Sequence, residues 1–183
     1  LLDDMDVSDD HPISMRTLVQ PRVEAEVAFV LARDLTGTDG EEITLEGVRD
    51  AVEVALPALE IVDSRIADWR IGFTDTVADN ASSGLYVVGK QGRSLEELEP
   101  RDVTMSLTVN GEERSSGKGE ACLGDPLEAL RWLAVQAQRY GDPLRAGQVV
   151  LSGALGPFVP FGPGDRVEAT ISGFDTLSVE FEE

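Results

Sequence analysis

A chain of 183 residues with 42% apolar and 27% charged side chains is long enough to bury one core, and nothing in it reads as disordered or fibrous. Its 35 acidic residues against 15 basic ones give a net charge of −20, which excludes nucleic acid and anionic membranes as partners, since no basic cluster can neutralise phosphates. No apolar run approaches the roughly 18 residues that cross a bilayer, and the single cysteine, Cys122, fits a reducing cytoplasm.

The chain opens on Leu1-Leu2-Asp3-Asp4, which reads as the middle of a longer protein and carries no secretory signal. Residues 7–14 read as a loop. Residues 23–31 alternate as a strand, with Val23, Ala25, Val27, Phe29 and Leu31 on one face and Glu24, Glu26 and Ala28 on the other. Thr44 caps a predicted helix that runs to about Leu56, where Pro57 stops it. A short apolar strand at 59–62 follows, then a small, polar loop at 74–84.

Residues 103–109 alternate again before Asn110-Gly111, the signature of a tight hairpin turn. Asp125-Pro126 starts a helix that ends at Gly141. Strands at 148–152, 166–172 and 177–181 complete the pattern, with Gly162-Pro163-Gly164-Asp165 as a turn. The fold class is α+β, a single β-rich domain over 1–183.

Three carboxylates stand out. Glu24 and Glu26 leave one strand face about 6.6–6.8 Å apart. They form either a solvated face or, with a third carboxylate, a site for an oxygen-loving cation. Glu60 sits inside Ala58-Leu59-Glu60-Ile61-Val62, where a carboxylate is costly unless it is paired or bound to metal. A salt bridge to Arg65 is the alternative. His11, the only histidine, falls in a loop and reads as a solvated surface residue, which gives a Ser-His-Asp triad little support. Cys122 reads as inert, Trp69 and Trp132 as packing residues, and Asp79-Asn80-Ala81-Ser82 as a turn that binds substrate or satisfies itself.

Four blocks carry a resemblance: Gln20-Pro21-Arg22-Val23-Glu24-Ala25-Glu26, residues 57–66, residues 75–82, and residues 147–153 with Pro163-Gly164-Asp165. They resemble the 2-keto-4-pentenoate hydratases of aromatic meta-cleavage pathways, within the fumarylacetoacetate hydrolase superfamily. The resemblance implies a mixed β-roll with a few flanking helices, and Mg²⁺ or Mn²⁺ held by Glu24, Glu26 and Glu60. It implies a 2-ketoacid or dienoate substrate, hydrated to a 4-hydroxy-2-ketoacid, with Asp79 and Ser82 as candidate catalytic residues. It further implies a cytoplasmic homo-oligomer, an aldolase of the same pathway as partner, and an N-terminal segment with an active-site lysine beyond this chain. Asp3 and Asp4 match an acidic pair of the family, while Lys90 and Lys118 do not match its lysine. A 4-oxalocrotonate decarboxylase of the same family is the alternative enzyme. A non-catalytic acidic binding module is the alternative of another class.

Overall fold

The computed structural model describes residues 3–9, 12–37 and 42–183. Alternation along the first long strand builds the core: Val23, Ala25, Val27, Phe29 and Leu31 of β2 (Pro21–Leu31) are at most 1% exposed. One sheet runs β4 (Ser83–Val88), β3 (Val52–Asp63), β2 and β7 (Val149–Leu151), with β8 (Val159–Pro160) also pairing with β2. The other runs β1 (Ile13–Ser14), β10 (Leu177–Glu182), β9 (Arg166–Ile171), β5 (Thr104–Val109) and β6 (Glu112–Lys118). Apolar faces of both sheets meet in one cluster that includes Phe29, Leu59, Leu107, Ile171 and Phe181. Among the described residues three α-helices, α1 (Leu45–Ala51), α2 (Phe73–Ala78) and α3 (Pro126–Arg139), flank them. This is the expected β-rich α+β architecture.

The hairpin and the capped helix form where turn chemistry places them. Asn110 and Gly111 take φ of 53° and 79°, the left-handed pair of a tight turn between β5 and β6. Asp125 accepts a hydrogen bond from Leu127 N at 2.9 Å, and α3 buries Leu127, Leu130 and Ala134.

Three expectations need correction. Residues 13–14 are strand, not loop, because Ile13 is 1% exposed and pairs in parallel with Phe181. The helix capped by Thr44 ends at Ala51, not near Leu56, and residues 52–63 form one strand. Val52, Val54 and Ala55 gain more by pairing with Leu31, Val30 and Phe29 of β2 than by extending a helix. Pro57 is tolerated inside that strand because its nitrogen faces away from β2, whose Val27 turns its N–H and C=O to Ser152, and toward Gly89, just past the end of β4, whose N donates to Pro57 O at 2.8 Å. The polar stretch at 74–84 is also not a simple loop, since it contains most of α2, a 3-10 turn at Asn80–Ser82 and the start of β4. His11 lies outside the described residues.

A strap at 152–156 crosses over β2, with Ser152 N and Leu155 N donating to Val27 O and Ala25 O at 3.0 Å each. It packs directly on Gly117, where a Cβ would lie 1.8 Å from Leu155 O. Gly117→Ala is therefore expected to destabilise the fold by at least about 1–3 kcal/mol. Guanidinium unfolding followed by tryptophan fluorescence measures it. An unchanged midpoint would show that the strap shifts freely.

Candidate metal centre

Register brings the three predicted glutamates together. β2 and β3 pair with Glu24 opposite Glu60, and Glu26 follows two residues later on the same face of β2. One carboxylate oxygen from each lies within 4.8 Å of the other two. Glu26 is 1% exposed, while Glu24 and Glu60 are half-buried. Arg65 does not pair with Glu60. Its Nε instead meets Asp79 Oδ1 at 2.7 Å.

Burial, then the charge on Glu60, pushes the Glu24 carboxyl up from 4.5 to about 7. Burial first, then the charges of Glu60 and Glu24, holds Glu26 well above the ordinary carboxylate range. Burial also raises Glu60. Three such groups cannot all ionise side by side without a cation.

The cluster passes a direct test of fit. Gly153 N donates to Glu26 Oε2 at 2.7 Å, whereas Glu26 Oε1 is buried with no hydrogen-bond partner. An orphaned carboxylate oxygen facing two further carboxylates is an arrangement that a hard divalent cation satisfies. All-oxygen donors suit Mg²⁺, Mn²⁺ or Ca²⁺ rather than a thiophilic metal.

Glu26 and Glu60 open onto a cavity of about 790 Å³, whose walls include Ser83, Tyr86, Leu123, Trp132, Leu133 and Leu144. Trp132 is 58% exposed, so it is not the packing residue expected from sequence. Its position off the stripe of Leu127, Leu130 and Ala134 was the available signal. Tyr86 was missed because only the β3–β4 register sets it opposite Glu60.

Asp79 and Ser82 do not line that cavity. Asp79 is buried and spends both oxygens: Oδ1 on Arg65, Oδ2 on Ser82 Oγ at 2.8 Å, Ser64 Oγ at 3.2 Å and Arg65 N at 3.2 Å. Burial works to raise this carboxyl, but the bonds from Ser82, Arg65 and Ser64 hold it below its ordinary value. Arg65 in turn donates to Asp63 O, Ser83 O and Asp79 O, tying the end of β3 to the start of β4. Cys122 donates to Ser152 O at 2.8 Å, and burial pushes its thiol up to about 11, which keeps it unreactive. Asp4 is exposed in a 3-10 turn, and Lys90 pairs with Asp9 at 2.9 Å.

Residues 5–182 match the profile of the fumarylacetoacetate (FAA) hydrolase C-terminal family. The chain is 53% identical over 182 residues to the 2-keto-4-pentenoate hydratase of Paraburkholderia xenovorans, covering 100% of this chain and 66% of that protein. It is 44% identical over 185 residues to the 2-hydroxyhexa-2,4-dienoate hydratase of Comamonas testosteroni, covering 100% of this chain and 69% of that protein. Among solved structures, the 4-oxalocrotonate decarboxylase of Pseudomonas putida G7, complexed with magnesium and adipate, superposes with a TM-score of 0.91. Identity there is 31%, over 99% of this chain and 68% of that one. The chain thus spans about 66% of the length of the hydratase it matches at 53%. No helix among the described residues is long and apolar enough to cross a membrane.

Proposed function

This chain belongs to the fumarylacetoacetate hydrolase family, and from that membership we propose that it is the catalytic part of a divalent-metal-dependent hydro-lyase. The reaction adds water to 2-hydroxypenta-2,4-dienoate (2-oxopent-4-enoate) and yields 4-hydroxy-2-oxopentanoate. The observation that carries this reading is the orphaned Glu26 Oε1, buried beside Glu24 and Glu60, with Glu26 and Glu60 opening onto a cavity of mixed polar and apolar walls. Likeness to hydratases at 53% identity supports the choice of substrate.

Glu24, Glu26 and Glu60 would hold Mg²⁺ or Mn²⁺. A cation held there would supply Lewis-acid stabilisation for negative charge that develops on the ketoacid. The Gly153 amide fixes one oxygen of Glu26 and so aims the other at the cluster. Leu123, Trp132, Leu133 and Leu144 give the diene an apolar wall. Ser83 and Tyr86 bring hydroxyls to the same cavity, placed to orient the water that attacks C4. Asp79 and Ser82 act by position: with Arg65 they hold the turn that delivers Ser83.

EDTA-stripped full-length protein is expected to leave the dienoate unconsumed, and added Mg²⁺ or Mn²⁺ to restore turnover. Turnover that persists without metal sinks the Lewis-acid reading. The TM-score of 0.91 to a decarboxylase favours one second reading, 4-oxalocrotonate decarboxylation at the same cluster. Release of CO₂ from that substrate, faster than hydration of the dienoate, would select it. An acidic binding module would show neither activity. A cytoplasmic homo-oligomer feeding its product to an aldolase extends the hydratase reading.

A further inference from the structure

One peptide unit sets the orientation of Glu26. Gly153 N donates to Glu26 Oε2 at 2.7 Å, and the carbonyl of the same unit, Ser152 O, accepts from Cys122 Sγ at 2.8 Å. The N–H and C=O of a trans peptide point in opposite directions within one plane. A donor on the oxygen and an acceptor on the hydrogen therefore fix that plane, and with it the line along which Glu26 is held. Each bond also polarises the other through the amide.

The backbone by itself does not hold this peptide. Gly153 stands at φ 104°, and a glycine there can rock with little torsional resistance. Ser152 is anchored along β2, its N donating to Val27 O at 3.0 Å and its Oγ accepting from Val27 N at 3.3 Å. Those bonds leave the unit that follows to the thiol, which arrives from another segment. Cys122 is 7% exposed and firmly delivered, since its N donates to Gly119 O at 3.0 Å and its O accepts from Asp125 N at 2.9 Å. A Cβ at 153 would lie 3.2 Å from its sulfur, so glycine there lets the thiol close on the peptide.

We propose that Cys122 is a positioning residue for the metal centre: through the Ser152–Gly153 peptide it holds Glu26 Oε2, and so leaves Oε1 aimed at Glu24 and Glu60. The inference rests on the metal reading of that cluster. Without the thiol the peptide tilts among several orientations and Glu26 spreads with it. An ion then meets a site that must be ordered as it binds. Metal affinity falls although no ligand atom is removed.

Serine and alanine at 122 leave voids of nearly equal size, so comparing them separates the donor from the packing. In Mn²⁺ titrations of the full-length protein, Cys122→Ala is expected to bind roughly two- to tenfold more weakly than wild type, the worth of one neutral hydrogen bond. Cys122→Ser, whose hydroxyl can still donate to Ser152 O, is expected to recover most of that loss. Infrared spectra give a second reading. The S–H band obtained by subtracting Cys122→Ala from wild type is expected to shift when Mn²⁺ binds, and to stay in place in Glu26→Gln at the same Mn²⁺ concentration. Wild-type Mn²⁺ affinity in Cys122→Ala overturns the proposal, as does an equal loss in both variants or an S–H band that Mn²⁺ leaves unmoved in the wild type. Should Cys122→Ala fail to fold, Cys122→Val, which fills the space without a donor, is compared with Cys122→Ser by the same readings. Failure of the underlying reading looks different: the wild type itself would not bind Mn²⁺.

Discussion

Glu26→Gln is expected to lower metal affinity and metal-dependent turnover by roughly a hundredfold or more, while the metal-free protein melts at the same temperature or higher. Glutamine keeps the volume of a side chain that is 1% exposed, so no void opens in the wall of β2. Its amide oxygen can still accept from Gly153 N, which holds Glu26 Oε2 at 2.7 Å in the native chain. The amide NH₂ then faces Glu24 and Glu60 and donates to them, where the native carboxylate is forced by burial and repulsion to keep a proton. Substitution thus removes one of three cation-binding charges and relieves electrostatic strain in the empty site. Loss of function with gain of stability is the mark of a residue kept for its chemistry. Metal titration, turnover and thermal melts on the same variant check it. Wild-type metal affinity in Glu26→Gln would sink the site assignment.

Divalent metal is expected to raise the melting temperature above pH 7 and to lose that effect as pH falls toward 5. The sign follows from Glu24, whose carboxyl rises from 4.5 to about 7 on folding. Between those values the folded chain binds a proton that the unfolded chain has released, so metal-free stability falls as pH rises across that window. The gap corresponds to roughly 3 kcal/mol of differential interaction. Metal takes the ionised carboxylates, so binding expels these protons and weakens as pH drops through about 7. At a metal concentration a hundred times Kd the expected gain is about 2.7 kcal/mol, or roughly 5–10 °C. A chain of charge −20 also gains stability from any divalent salt by screening, so a control is required. Glu182 and Glu183 are exposed and distant from the cluster in sequence, and Glu182→Gln/Glu183→Gln should keep the metal shift. Glu24→Gln/Glu26→Gln should lose it. Equal shifts in both double variants would reduce the effect to screening and favour the acidic binding module.

The glutamate pair on β2 was legible because strand alternation is a local property: apolar residues at 23, 25, 27, 29 and 31 put Glu24 and Glu26 together on the other face. The Asn110-Gly111 hairpin and the Asp125 cap were legible for the same reason, since backbone geometry and one side chain decide each. The stretch 52–56 misled because Val52-Glu53-Val54-Ala55-Leu56 can continue a helix by itself. Pairing with β2, a partner more than twenty residues away, makes it a strand.

Everything that joins distant segments was decided by tertiary structure. Residue type and alternation alone marked Glu24, Glu26 and Glu60 as carboxylates in apolar surroundings. Only the β2–β3 register sets Glu60 opposite Glu24, and a slip of one residue would send it to the other face. Only packing shows Asp79 locked by Arg65 and Ser82, and Trp132 turned from the core to the cavity. Local sequence determines which way a side chain leaves its own strand or helix, because that depends on a few neighbouring dihedrals. What the side chain meets depends on segments that only the folded chain brings near, and their pairing is settled by the shared burial of the whole core.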